Sequence, residues 1–219
     1  MAFHLFRCGL LALAVPLAGF SQPPPDAKPA ALKYAVILIV PQAEQGPRSI
    51  GLTSSGPARA RAFVTYELSS EGAARAQAYV NYFKNFPADG QPMKLDCLIA
   101  AGDANGNACP RLTLLPLSRA CGLAIDGRYK DREVLELARE LQTRPHGRVI
   151  LIAWNHREIP DLLRALGTDP AQVLPGGVWP DAVACWAIQL TCEAQGRVTE
   201  AICLNENLLP QDSDHPVGR

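Results

Sequence analysis

The sequence predicts one layered α/β domain built on a mostly parallel sheet and closed at one edge by a C-terminal hairpin. Three observations carry that expectation. Short apolar runs recur at Ala35–Val40, Leu95–Ala101 and Arg148–Trp154. Each is apolar nearly throughout rather than alternating, as strands covered on both faces are. Segments of helical character separate them, and strand–helix alternation is the pattern of a layered α/β fold.

Taken in order, the chain opens with a segment that reads as an export signal. His4 and Arg7 precede an apolar run from Cys8 to Phe20, too short to span a bilayer comfortably and interrupted by Pro16. Gly19 and Ser21 are small residues suited to cleavage before Gln22. Phe20 stands where a lipoprotein signal would need its cysteine. Residues 1–21 are therefore expected to be removed, leaving a secreted or periplasmic protein without a membrane anchor. The proline-rich stretch that follows predicts an extended linker over residues 22–33. The domain itself is expected over 34–208, with a polar tail at 209–219.

Helical segments are expected at about Gly56–Phe83, Arg111–Cys121, Asp131–Gln142 and Ile159–Leu166. Two apolar stretches, Ala184–Glu193 and Arg197–Asn205, flank Ala194-Gln-Gly196, a turn signal that predicts a hairpin. Inside the first helical segment lies a tandem repeat. Leu52–Tyr66 is echoed in register by Leu68–Tyr82, each copy opening on hydroxyl residues that can cap a helix. Two copies are too few for a solenoid. They predict a lengthened helical region, broken at Gly72 into two helices, with surface pairing the default for Arg59 and Arg75 and a place facing the pocket the alternative for one of them.

Bulk properties narrow the function. The chain has 219 residues, 48% of them hydrophobic, enough for one full-sized core. Lys and Arg total 21, as do Asp and Glu, so no overall charge favours nucleic acid. Loss of Cys8 from the seven cysteines leaves six: Cys97, Cys109, Cys121, Cys185, Cys192 and Cys203. Six allow 15 pairings, and several sit in apolar runs where buried thiols are common, so spacing does not choose. No Cys-x-x-Cys and no spaced histidine cluster is present, so neither a metal nor another cofactor is expected. Asp103-Ala-Asn-Gly-Asn107 is loosely like a calcium loop, but Leu114 stands where a bidentate glutamate is needed. It reads as a pocket rim.

Three stretches give a more specific lead. They are Val36-Ile-Leu-Ile-Val-Pro-Gln-Ala-Glu44 with Leu68–Ala76, Leu98–Leu114, and Val149-Ile-Leu-Ile-Ala-Trp-Asn-His-Arg-Glu-Ile-Pro160. In this order and separation they resemble the histidine phosphatase superfamily, the phosphoglycerate-mutase-like proteins, from about residue 34 to 208. The resemblance implies a three-layer α/β/α fold. It also implies a histidine nucleophile that is transiently phosphorylated, with arginines and a second histidine around the phosphoryl oxygens.

Matched position by position, the chain departs from that chemistry. The arginine of the opening Arg-His motif falls on Pro41 and the nucleophilic histidine on Gln42, while Ala43 and Glu44 agree. A later arginine falls on Cys109, with Arg111 two residues away. The second histidine maps to His156, although one spacing would place it at Asn155. A neutral amide does not attack phosphorus, and Pro41 brings neither charge nor an N–H. The resemblance thus implies a disarmed site that keeps a pocket for a small anionic ligand or a protein partner. The alternative is a phosphomonoesterase using an atypical set drawn from Gln42, Glu44, Cys109 and His156. His156 could hold an anion, move a proton, or merely brace its loop. Trp179, in a Gly/Pro-rich loop, is the candidate for the pocket mouth.

Overall fold

The computed structural model describes residues 31–47, 49–53, 61–84, 86–88, 91–104 and 106–214. The expected export signal, the linker up to residue 30, Arg59 and residues 215–219 lie outside the described residues. In chain order the strands and helices are β1 (Val36–Pro41), β2 (Ser49–Thr53), β3 (Arg61–Thr65), α1 (Ser70–Lys84), β4 (Pro87–Ala88) and β5 (Gln91–Pro92). Then come β6 (Cys97–Ala100), α2 (Cys109–Cys121), β7 (Ile125–Asp126), α3 (Val134–Thr143), β8 (Val149–Trp154) and α4 (Ile159–Ala165). The hairpin β9 (Trp186–Cys192) and β10 (Val198–Asn205) follows.

The main sheet has six strands in the order β10-β9-β1-β8-β6-β7. β1, β8, β6 and β7 run parallel, and β9 and β10 join antiparallel at one edge. The fold is therefore α/β with a mixed, mostly parallel sheet and the expected hairpin at its edge. Each central strand is buried throughout its middle because both faces are covered. Ile37 and Ile39 of β1 point with Ile150 and Ile152 of β8 into one core, beneath α3 and α4. Leu38 and Val40 point with Leu151 and Ala153 into the other, beneath α1 and α2. Period-two alternation divides apolar residues between two cores, so the strands show no polar face. The result is three layers.

The expected helix over Gly56–Phe83 fails at residues 61–65, and residues 56–60 lie outside the described residues. Residues 49–53 and 61–65 instead form an antiparallel ribbon, with Ser49 opposite Thr65 and Thr53 opposite Arg61. The repeat's second copy is helical and its first copy holds a strand, so similar sequence takes two structures. Arg61-Ala-Phe-Val-Thr65 carries β-branched and aromatic residues that suit a strand when another strand is at hand. Nor does Gly72 break a helix. It lies in the first turn of α1, where a Cβ would stand 2.2 Å from the Glu44 carbonyl oxygen. Only glycine lets the helix approach that turn so closely.

Two boundaries also move. Leu32, at the end of the expected linker, is buried in the core. Residues 210–214, expected as tail, form a 3-10 turn whose Asp212 is 1% exposed. All six described cysteines are free thiols.

Candidate functional site

In open α/β sheets ligands bind beyond the carboxyl ends of the parallel strands. The candidate residues gather at that edge. Pro41 pairs with Trp154 at the ends of β1 and β8, and the Gln42 N–H donates to the Trp154 carbonyl at 2.7 Å. Gln42 and His156 thus leave neighbouring strands at the same edge. Cys109 opens α2, which starts beyond the end of β6.

Around Gln42 the structure is a closed set of neutral hydrogen bonds. Asn107 Nδ2 donates to Gln42 Oε1 at 3.0 Å, and the Cys109 N–H donates to Asn107 Oδ1 at 3.0 Å. The Thr113 hydroxyl donates to the Cys109 carbonyl at 2.7 Å and accepts the Ala43 N–H at 2.8 Å. Thr113 therefore ties the first turn of α2 to the turn after β1. The Cys109 thiol is fully buried and directed at the Tyr66 carbonyl, 3.6 Å away. Burial pushes this thiol up to about 11, so it stays protonated at neutral pH.

His156 faces another way. Its Nε2 lies 3.1 Å from Asp181 Oδ1, and Arg157 Nε approaches the same oxygen at 3.4 Å. The bond to His156, helped by Arg157, holds the Asp181 carboxyl below its ordinary range. Asn155 braces the loop: its Oδ1 accepts the Arg157 N–H at 3.1 Å, and its Nδ2 reaches Asp131 at 3.4 Å. Arg111 is turned to Asp103 in a two-point ion pair, both side chains exposed. Asp103 thus neutralises Arg111.

Trp179 is not at a mouth. It is buried beside Trp186, and its indole N–H donates to the Val183 carbonyl at 2.7 Å. Glu44 has a bracing position instead of facing Gln42. Its Oε1 accepts from Arg75 at 2.6 and 2.9 Å, and its Oε2 accepts from Arg75 Nε at 3.1 Å. Arg75 was expected at the surface, yet it is 1% exposed, held between Glu44 and Asp212. Two carboxylates supply what burial takes from the guanidinium, whose hydrogen bonds to them are all charge-assisted.

So the structure joins Pro41, Gln42 and Cys109 through Asn107 and Thr113, and sets Asn155 and His156 on the adjacent strand end. Arg111 is drawn off to Asp103, and Trp179 is in the core. Sequence reading placed Asn107 in a pocket-rim loop but not its bond to Gln42, and missed Asp181, Arg75 and Asp212 as participants. Only Arg75 left a signal: with Glu71 and Tyr79 it repeats at helical spacing along one face of α1. Among the described residues no group of three or more His, Cys, Asp or Glu is placed to hold a metal.

The chain resembles the histidine phosphatase superfamily. No family model and no curated protein sequence matches the chain. Solved structures do. SixA from Agrobacterium tumefaciens matches at 14% identity and a TM-score of 0.45, over 76% of this chain and 96% of that one. The protein histidine phosphatase SixA complexed with tungstate matches at 12% identity and 0.45, over 78% and 97%. A phosphoglycerate mutase from Plasmodium falciparum matches at 14% and 0.46, over 75% and 87%. At such identities and scores nothing about activity passes from those proteins to this one.

Proposed function

We propose that this chain is an exported, catalytically inactive relative of the histidine phosphatases whose cleft binds a small ligand or a protein segment. One observation carries the reading: Gln42, which the resemblance sets at the nucleophile position, has its carbonyl oxygen committed to Asn107. The amide nitrogen's lone pair is delocalised and does not attack phosphorus. The flanking positions worsen matters, because Pro41 has no charge and Cys109 is a buried, protonated thiol. Losing a single donor to a developing charge costs on the order of 3–4 kcal/mol in other hydrolases. Here a nucleophile and two cations are replaced together.

What remains is a rim of amides (Gln42, Asn107 and Asn155) beside the His156–Asp181 pair. It can offer hydrogen bonds to a ligand without transferring a group from it. A second reading has one observation in its favour. His156 paired to Asp181 could deprotonate a water, which would make the protein a weak phosphomonoesterase.

Assay of the purified chain on a generic aryl phosphate from about pH 5 to 9 separates the two, since a histidine base works within that span. The expected result is no turnover above background. Turnover that disappears in His156→Ala would establish the esterase. Ligand occupancy is read independently by thermal shift, because a ligand at 100 times its Kd stabilises by about 2.7 kcal/mol. Phosphate or tungstate should raise Tm if the cleft still accepts anions.

A further inference from the structure

Among the described residues, one buried carboxyl group is only half satisfied. Glu206 is 4% exposed, and one of its carboxyl oxygens, Oε1, has no hydrogen-bond partner. Its other oxygen accepts from the Tyr79 hydroxyl at 3.0 Å. A buried carboxylate with one bare oxygen is costly; a neutral carboxyl is far less so.

Glu206 begins the segment that follows β10 and wraps back onto α1. Three α1 side chains, at successive four-residue steps on one face, receive it. Gln211 bonds to Glu71, Asp212 to Arg75, and Glu206 to Tyr79. Asp212 is the hub: its carboxylate takes two bonds from Arg75, at 2.8 and 2.9 Å, and accepts the Leu208 and Leu209 N–H groups, both at 2.8 Å. Its carbonyl accepts from Asn205 Nδ2 at 2.9 Å. Arg75 then continues to Glu44, two residues beyond Gln42.

We propose that residues 206–214 form a pH-operated clasp, seated on α1 while Glu206 carries a proton and released when it loses it, and that release loosens the turn bearing Gln42. The charged and titratable groups facing Glu206 oppose one another. Arg75 favours the carboxylate; Asp212 and Glu44 disfavour it; Tyr79, Tyr82, Cys185 and Cys203 are the other titratable neighbours. Burial outweighs Arg75, because that cation is already engaged by two carboxylates, and it pushes Glu206 up to about 8. Since the folded state holds this proton more tightly than the unfolded chain, the contribution of Glu206 is full below the ordinary carboxylate range and is lost as pH rises from there through about 8. The clasp is thus a device for weakly alkaline conditions. It holds whether or not the cleft binds phosphate.

Two measurements on the full chain test it. The first follows the Glu206 carboxyl carbon by NMR, with amide exchange protection at Leu208, Leu209 and Ala43 read alongside. Protection should fall at least about tenfold between about pH 6.5 and 9.5, with the same midpoint as the carboxyl. The second repeats the exchange on Glu206→Gln, which stays neutral and should keep protection within about twofold over that range. A carboxyl midpoint below about pH 6, midpoints more than about one unit apart, or equal loss of protection in Glu206→Gln would each overturn the clasp. If the glutamine variant does not fold, coincidence of the two wild-type midpoints decides.

Discussion

Arg75 shows how one residue can hold three parts of a chain together. Its guanidinium joins α1 to the turn after β1 through Glu44 and to the C-terminal segment through Asp212. Removing one member of a buried ion pair leaves the others uncompensated, at about 3–5 kcal/mol. Arg75→Met should therefore lower the unfolding free energy read from urea denaturation by that order. The acid side is set by Asp212. Burial raises its carboxyl, but Arg75 and two backbone amides more than reverse this, and its folded pKa lies below the ordinary value. Its contribution is present above the ordinary carboxylate range and is lost as pH falls through the folded value. Wild-type Tm should accordingly drop more steeply in acid than that of Arg75→Met. The sequence showed only the helical spacing of Glu71, Arg75 and Tyr79, because an arginine in a duplicated, helix-forming segment reads by default as solvent-facing. The long-range partners, Glu44 and Asp212, lie 31 and 137 residues away.

At the scale of elements, what was legible depended on how local the cause was. β1, β6 and β8 announced themselves because burial on both faces demands an unbroken apolar run. The hairpin was legible from its turn. The β2–β3 ribbon was not, because each strand exists through pairing with the other, and the copy at 68–82 pulled the reading towards helix. β7 is two residues long and has no periodicity to detect. The cleft was legible in part: the positions of Gln42 and Cys109 followed from the resemblance, whereas the Asn107 and Thr113 bridges depend on how α2 seats against β1. Thr113→Val tests that seating. It strands the Ala43 N–H in a buried site, so a loss of about 1–3 kcal/mol is expected from denaturant unfolding. A loss below that range would mean that the turn relaxes towards solvent.

The whole molecule is two cores on one sheet, and chemistry is distributed unequally between them. The thiols are the simplest probe. Burial pushes Cys109, Cys185 and Cys192 up to about 11 and removes them from solvent. Iodoacetamide at pH near 8 should therefore spare these three in the native protein and label all six of the described cysteines only after denaturation. Rapid native labelling of Cys109 would contradict the closed arrangement around Gln42. The tryptophans divide even more sharply. The sequence has three, and Trp154, Trp179 and Trp186 all belong to the core under α3 and α4. The layer of α1 and α2 carries none. Intrinsic emission is consequently a one-sided gauge: it will follow melting of the first layer, while motions confined to the opposite flank must be watched by tyrosine, isotope or an attached dye.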